Sequence, residues 1–183
     1  MPPLRASALT RPPFTAQDFT PTRFASAASK AAFANGLCRF IAADFPSTLF
    51  TQLLYDRLCM CFGHIAHCDK GGFFATFFAE LDGKLRFLGQ TLSHPCYGHP
   101  THTYCDVERA VQARLQACGI LDVYRALRAS EIAGAERALL AQLRAKYDGV
   151  PVIPQIVTRP AGPPVAAPRR GRVDPDTDQP SLL

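Results

Sequence analysis

Proline and phenylalanine divide this chain into a central body and two ends. Thirteen of the 16 prolines fall in residues 1–21 or 150–183. Phenylalanine is distributed in the opposite way, with 11 of its 13 residues between Phe24 and Phe87. Because proline interrupts regular structure while aromatic side chains fill cores, the sequence predicts a folded helical domain over 22–149. The ends are predicted to be a flexible arm over 1–21 and a disordered, proline- and arginine-rich tail over 150–183.

Apolar residues of the body recur at helical spacing, and no stretch shows the sustained alternation of a half-buried strand. The sequence therefore predicts an all-α fold of about five helices. The first is predicted to begin at Thr20-Pro21, with Asn35-Gly36 either ending or weakening it. A break is predicted near Phe45, because a residue that precedes proline is driven out of helical geometry. Ser47 is then predicted to cap the second helix.

Three more helices are predicted beyond the second. The third begins at a cap formed by Asp69, and the fourth follows a capping box formed by Thr103 and Asp106. Gly119 is expected to end the fourth helix, and the fifth covers 120–147. The inner face of the fifth helix is predicted to consist of Leu121, Tyr124, Ile132, Leu139, Leu143 and Tyr147.

Residues 59–105 concentrate the side chains that bind metals. This stretch contains all five histidines and five of the seven cysteines, and it repeats the pattern Gly-His-x-x-His at 63–67 and 98–102. Zinc takes four Cys or His ligands that usually arrive in closely spaced pairs. A zinc site that joins the two copies is therefore one hypothesis. Its candidate ligands are His64, His67, Cys68, His99, His102 and Cys105.

The same stretch allows two other interpretations. The spacing matches no standard zinc finger, so the cysteines could be small core residues, with the histidines hydrogen-bonding locally at helix ends. Cys96 lies between His94 and His99, and a neighbouring imidazole can lower the pKa of a thiol and make it a nucleophile. The sequence alone leaves the three alternatives open.

A mild basic excess raises the question of nucleic acid. The formal charge of +5 comes from 16 Arg and 4 Lys against 15 acids. Residues 168–172 resemble part of an AT-hook, a disordered motif whose arginines enter the DNA minor groove, although Val173 stands where proline would follow. The candidate contacts are Arg169, Arg170 and Arg172 of the tail with Arg125 and Arg128 of the last helix. The alternative is a solvated helix face and a solubilising tail.

The sequence contains no apolar run of about 18 residues and no secretory signal. These observations predict a cytoplasmic chain with reduced thiols and no membrane span. Phe73 and Phe77 lie to one side of the main stripe of the third helix. If exposed, they would form a homodimer interface.

Most enzymes of this size would show paired carboxylates, a glycine-rich phosphate loop or a nucleophile motif, and the sequence shows none of these. It therefore favours a non-enzymatic helical binding or adaptor protein that acts through a macromolecular partner, with nucleic acid as the first candidate. The alternative is a zinc-dependent enzyme or a metal-stabilised module.

Overall fold

The computed structural model describes residues 3–62, 69–94 and 97–148, with side chains from residue 7 onward. Over these residues the fold is all-α, as predicted, with seven α-helices rather than about five. The helices are α1 Pro3–Thr10, α2 Ala27–Ala42, α3 Gln52–Cys61, α4 Lys70–Phe77, α5 Leu81–Ser93, α6 Cys105–Ala117 and α7 Ile120–Tyr147. Every helix in these ranges is too short or too polar to cross a lipid bilayer. The chain divides after Leu143 into two units, and the core lies in the first.

Helix α2 is the centre of the fold and packs against α1, α3 and α6. It begins after Ser26, whose Oγ accepts a hydrogen bond from the Ser29 N–H at 3.1 Å, and not at the predicted Thr20-Pro21. The helix also continues through Asn35-Gly36. Both polar atoms of the Asn35 amide bond the backbone of Phe14 at 2.8 Å, so this side chain does not compete for the helical hydrogen bonds.

The N-terminal segment contributes to the core instead of forming a wholly flexible arm. Leu9 and Phe19 are buried, and the rings of Phe14 and Phe19 lie 5.6 Å apart. The guanidinium of Arg114 lies 3.5 Å from the centre of the Phe14 ring. Burial of these apolar side chains offsets the entropy of ordering the segment, so the core extends beyond the boundary predicted at residue 21.

A sharp reversal follows α2 at the break predicted near Phe45. Asp44 and Phe45 both have positive φ angles, 67° and 57°, which are strained for residues with a Cβ atom. Phe45 is buried against the rings of Phe40, Phe78 and Phe87, at centroid distances of 5.2, 5.0 and 5.9 Å. This aromatic packing offsets the cost of the strained backbone.

Helix α3 begins later than the predicted cap at Ser47. Residues Ser47–Leu49 form a short 3₁₀ turn, and the non-helical residue Phe50 then enters the core. Thr51 is the true cap, because its Oγ1 accepts a hydrogen bond from the Leu54 N–H at 3.2 Å. The delay leaves Leu49 and Leu53 on the outside of the bundle.

The predicted third helix is two helices. Asp69 caps α4 as expected, accepting a hydrogen bond from the Gly72 N–H at 2.6 Å, but α4 ends at Phe77. Helix α5 then returns so close to α4 that a Cβ atom on Gly83 would lie 2.6 Å from the carbonyl oxygen of Thr76. Gly83 is therefore the residue that allows this contact.

The homodimer interface predicted at Phe73 and Phe77 is wrong. Their exposed fractions are 0% and 7%, because both rings pack inside the aromatic cluster. Phe73 contacts Phe50 and Phe78 as well as Phe77. Side chains that already fill the core of one chain cannot form a contact with a second.

Helix α7 has the predicted bounds but only the first part of the predicted inner face. Gly119, with φ of 57°, separates it from α6 as expected. The buried residues of α7 are Ile120, Val123 and Tyr124, all near its start. Of the predicted face, Tyr124 is buried and Leu121 is partly buried against the core, whereas four members are exposed, namely Ile132, Leu139, Leu143 and Tyr147. The helical spacing of apolar residues indicates that a face exists but not what covers it.

Candidate functional site

A buried lysine joins α2 to α6. Lys30 is 0% exposed, and its Nζ donates to Asp106 Oδ1 and to the carbonyls of Pro100 and Thr103, each at 2.9 Å. Asp106 also accepts a hydrogen bond from the Thr20 N–H at 2.9 Å. The predicted capping box of Thr103 and Asp106 is therefore wrong, since the carboxylate is directed at Lys30. Every donor of the ammonium group is engaged, which makes this cluster a support for the fold.

Two of the three histidines that the structure describes form local side-chain hydrogen bonds. His94 Nδ1 lies 2.9 Å from the Gln90 carbonyl, and His99 Nδ1 lies 2.7 Å from Thr101 Oγ1. The rings of His99 and His102 are exposed, with centroids 6.2 Å apart.

The described residues contain only part of the proposed zinc site. Cys105, its third described candidate ligand, is buried. Across residues 3–62, 69–94 and 97–148 no three His, Cys, Asp or Glu side chains converge as metal ligands. The other candidate ligands, His64, His67 and Cys68, lie outside these residues, as does the candidate nucleophile Cys96.

The two described candidates for nucleic-acid contact are already paired with carboxylates. Arg125 lies 3.1 Å from Asp122. Arg128 lies 2.7 Å from Asp82 and 3.3 Å from Glu131. The tail candidates Arg169, Arg170 and Arg172 lie outside the described residues.

A polar cleft beside these pairs is built from groups that satisfy one another. The Tyr124 hydroxyl donates to Asp44 Oδ1 at 2.6 Å, and Lys84 Nζ lies 2.9 Å from the same oxygen. Burial raises the pKa of Asp44, but the hydrogen bonds from Tyr124 and Lys84 and the charge of Lys84 outweigh it, so that pKa is below its usual value. Burial and the Asp44 carboxylate together raise the pKa of Tyr124. These groups hold the strained reversal at Asp44 in place.

A second concavity, here named the α2–α3 groove, has a different character. It has a volume of about 560 Å³ and lies between α2 and the segment that leads into α3. Its lining residues are Ser29, Ala32, Phe33, Gly36, Arg39, Leu49, Thr51, Leu53, Leu54 and Arg57. Leu49 and Leu53 are 45% and 66% exposed, so the groove presents apolar surface to solvent. Exposed apolar surface of this kind, rimmed by polar residues, is typical of a binding site.

The α2 wall of the groove carries small side chains. Ser29, Ala32 and Gly36 are spaced three and four residues apart and therefore share one face of the helix. A Cβ atom on Gly36 would meet nothing within 4 Å, so no close contact inside the fold requires glycine there. Glycine inside a helix costs about 1 kcal/mol relative to alanine. Small residues on this wall leave room for another backbone to approach closely.

Two arginines give the groove its charge. Arg39 is exposed, and Arg57 is half-buried, with a hydrogen bond to the Tyr104 hydroxyl and its guanidinium 5.4 Å from that ring. Within the part of the chain that the structure describes, neither arginine forms an ion pair with a carboxylate. The groove is therefore an apolar surface with two arginines that have no carboxylate partner among the described residues.

The groove is not among the sites predicted from the sequence, although the sequence contains one signal for it. Asn35-Gly36 is predicted either to end the helix or to weaken it, and the helix runs six residues beyond Gly36, to Ala42. Gly36 differs from the other open helical glycines, Gly89 and Gly134, in lining this groove. Comparison with family models, curated proteins and solved structures finds no match to this chain. The geometry of the groove is therefore the main indication of function.

Proposed function

We propose that this chain is a helical adaptor whose α2–α3 groove binds an amphipathic, acidic helix of a protein partner. The observation that carries the proposal is the combination of exposed Leu49 and Leu53 with the open surface at Gly36. A helix lays its apolar face into such a groove through side chains spaced three and four residues apart. The function is thus binding, as the composition of the sequence favours.

The charge of the groove selects among helices. Arg39 and Arg57 lie at its edge without carboxylate partners in the described structure. A partner helix with Glu or Asp beside its apolar stripe would supply the missing carboxylates. Arginine binds carboxylates in bidentate geometry. A basic helix would be repelled by the same two side chains, so charge contributes to specificity as well as affinity.

A protein partner fits the described surfaces better than nucleic acid does. Phosphate backbones bind clusters of free Lys and Arg. Arg125 and Arg128, the candidates on α7, are held by Asp122, Asp82 and Glu131. The exposed leucines of the groove cannot bind phosphate, whereas they can pack against the leucines of a partner helix.

The proposal is tested with a designed probe, a fluorescein-labelled synthetic helix of about 18 residues with leucines along one face and glutamates beside them. Fluorescence anisotropy with the full chain should show saturable binding that weakens as salt is raised, because the arginines are solvent-accessible. A second probe with lysine in place of each glutamate should bind at least about tenfold more weakly. Duplex DNA serves as the third ligand.

Variants locate the binding site. Gly36→Leu places a side chain in the groove, with a Cβ atom that meets nothing within 4 Å, and should abolish binding. Gly89→Leu, at another helical glycine whose added Cβ meets nothing, should not. Arg39→Glu should reverse the preference between the acidic and basic probes. The proposal is wrong if Gly36→Leu binds the acidic probe as tightly as the wild-type chain, or if only DNA binds.

A further inference from the structure

A second apolar surface lies on helix α7, here named the α7 stripe. It consists of Ile132, Leu139, Leu140 and Leu143, with Glu136 among them. Positions 132, 136, 139 and 143 follow one another at intervals of four, three and four residues, which places these side chains on one face of the helix. All four apolar side chains are exposed, and Leu139 is 56% exposed. The first unit therefore leaves this stripe without a covering layer over the residues described.

The stripe matches the α2–α3 groove in length. From Ile132 to Leu143 it extends about 16 Å along the helix axis, at 1.5 Å per residue. The α2 wall of the groove, from Ser29 to Arg39, is about 15 Å long by the same measure. The leucines of the stripe would face Leu49 and Leu53, and the helix backbone could approach the small residues around Gly36.

The stripe also carries one carboxylate that is complementary to the arginines of the groove. Glu136 lies in the middle of the stripe, and within the described residues it has no ion-pair partner. Arg39 and Arg57 at the groove also have no ion-pair partner within the described residues. An unpaired carboxylate inside an apolar stripe costs free energy when it is buried, unless the opposite surface supplies a cation. The groove supplies two.

Resting on the proposed function, we propose that the helix which occupies the α2–α3 groove is the α7 stripe of a second copy of this chain. Both surfaces are exposed in the single chain, so the contact joins two copies. If each copy inserts its stripe into the groove of the other, the two contacts close a symmetric dimer.

Direct pairing of two stripes is the less favourable arrangement. In an antiparallel pair centred on the stripe, Glu136 of one copy would face Leu139 of the other and be buried without a cation. In a parallel pair the two Glu136 side chains would face each other and repel. Docking into the groove removes both costs, because Glu136 then meets arginine.

Sedimentation velocity on the full-length chain tests this proposal. The wild-type chain should sediment as a dimer at about 100 µM and dissociate on dilution. Gly36→Leu closes the groove, and the double variant Leu139→Ser/Leu143→Ser removes the stripe. Each variant alone should be monomeric at the concentration where the wild type is dimeric, with an unchanged far-UV circular dichroism spectrum. Gly89→Leu is the control that should dimerise normally.

A mixture of the two variants separates this contact from self-pairing of α7. One variant has an intact stripe and the other an intact groove, so the mixture should form a heterodimer. Glu136→Arg should weaken the homodimer and should pair with an Arg39→Glu chain. The proposal is overturned if Gly36→Leu dimerises as the wild type does, or if the wild-type chain is monomeric at about 100 µM. If the wild-type chain is monomeric but still binds the acidic probe helix at the groove, the proposed function stands and only the identity of the partner is wrong.

Discussion

Lys30 Nζ lies 2.9 Å from Asp106 Oδ1, joining two helices across 76 positions of the sequence. The lysine is fully buried, and the carboxylate has only 15% of its side-chain surface exposed. Helix α2 presents Lys30 to this cluster and Gly36 to the groove. The ion pair therefore fixes the helix that forms one wall of the proposed binding site.

Removing one partner of this pair should be costly. Lys30→Met leaves the Asp106 carboxylate without its cation and two carbonyls without their lysine donor, and it should lower the free energy of unfolding by about 3–5 kcal/mol. Chemical denaturation with urea measures this loss. Arg125→Met, which breaks an exposed pair with Asp122, is the control and should cost less than about 1 kcal/mol. Equal effects of the two substitutions would show that the buried pair contributes no special stability.

Two glycines of α5 should respond to alanine in opposite directions. Gly83→Ala places a Cβ atom 2.6 Å from the Thr76 carbonyl oxygen, and α4 and α5 must separate to admit it. We expect a loss of about 1–3 kcal/mol in the free energy of unfolding. Gly89→Ala meets nothing within 4 Å and should gain up to about 1 kcal/mol. Thermal denaturation of both variants checks the sign, and a Gly83→Ala variant as stable as the wild type would contradict the packing described.

The contact between Tyr124 and Asp44 should make stability depend on pH in the acidic range. Because hydrogen bonds hold the pKa of folded Asp44 below its usual value, the unfolded chain binds a proton first as pH falls. The stabilising contribution is thus complete above about pH 4 and is lost as pH falls through the lowered pKa. Tyr124→Phe should lower stability by roughly 1 kcal/mol at pH 7, allowing for the exposure of the carboxylate.

Thermal unfolding of Tyr124→Phe and of the wild-type chain between pH 7 and pH 3 measures this difference. The gap between their melting temperatures should narrow towards the acidic end. Tyr147→Phe, at an exposed tyrosine, is the matched control and should follow the wild type throughout. A gap that stays constant down to pH 3 would show that Asp44 is not the acceptor responsible.

Cys38 should be an unreactive thiol in the folded chain. Burial raises the pKa of Cys38 to about 11, although the nearby Arg114 guanidinium acts in the opposite direction. Alkylation at pH 8, followed by peptide mass spectrometry, should label Cys38 at least ~100-fold more slowly than the partly exposed Cys59. In urea the two rates should become similar. Comparable rates in the folded chain would contradict the buried environment of Cys38.

Local features were the most predictable from the sequence. The cap at Asp69, the break near Phe45 and the start of α7 after Gly119 all depend on side-chain and backbone chemistry within a few residues. Thr51 replaced Ser47 as a cap because Phe50 had to reach the core first, which is a tertiary requirement. Likewise, the division of α4 from α5 depends on how closely the two helices cross at Gly83.

The candidate site was not predictable by the same means. The pairing of Lys30 with Asp106 joins residues too far apart for periodicity to connect them. The spacing of Ile132 and Leu139 predicts an apolar face, and this face is expected to pack in the core of its own chain. The structure leaves it exposed, and helical spacing is the same whether a face packs inside its own chain or remains open to a partner. The groove is open because Gly36 has no side chain, and a missing side chain gives only a weak signal in a sequence.

Methyl NMR of the leucines provides the most direct test of the groove as a docking site. On addition of the acidic probe helix to the Leu139→Ser/Leu143→Ser chain, the methyl resonances of Leu49, Leu53 and Leu54 should shift together and saturate. The same titration with Gly36→Leu added to that chain should leave them unchanged. If these three leucines do not respond at about 1 mM probe while methyl groups elsewhere shift, the α2–α3 groove is not where this protein binds its partner.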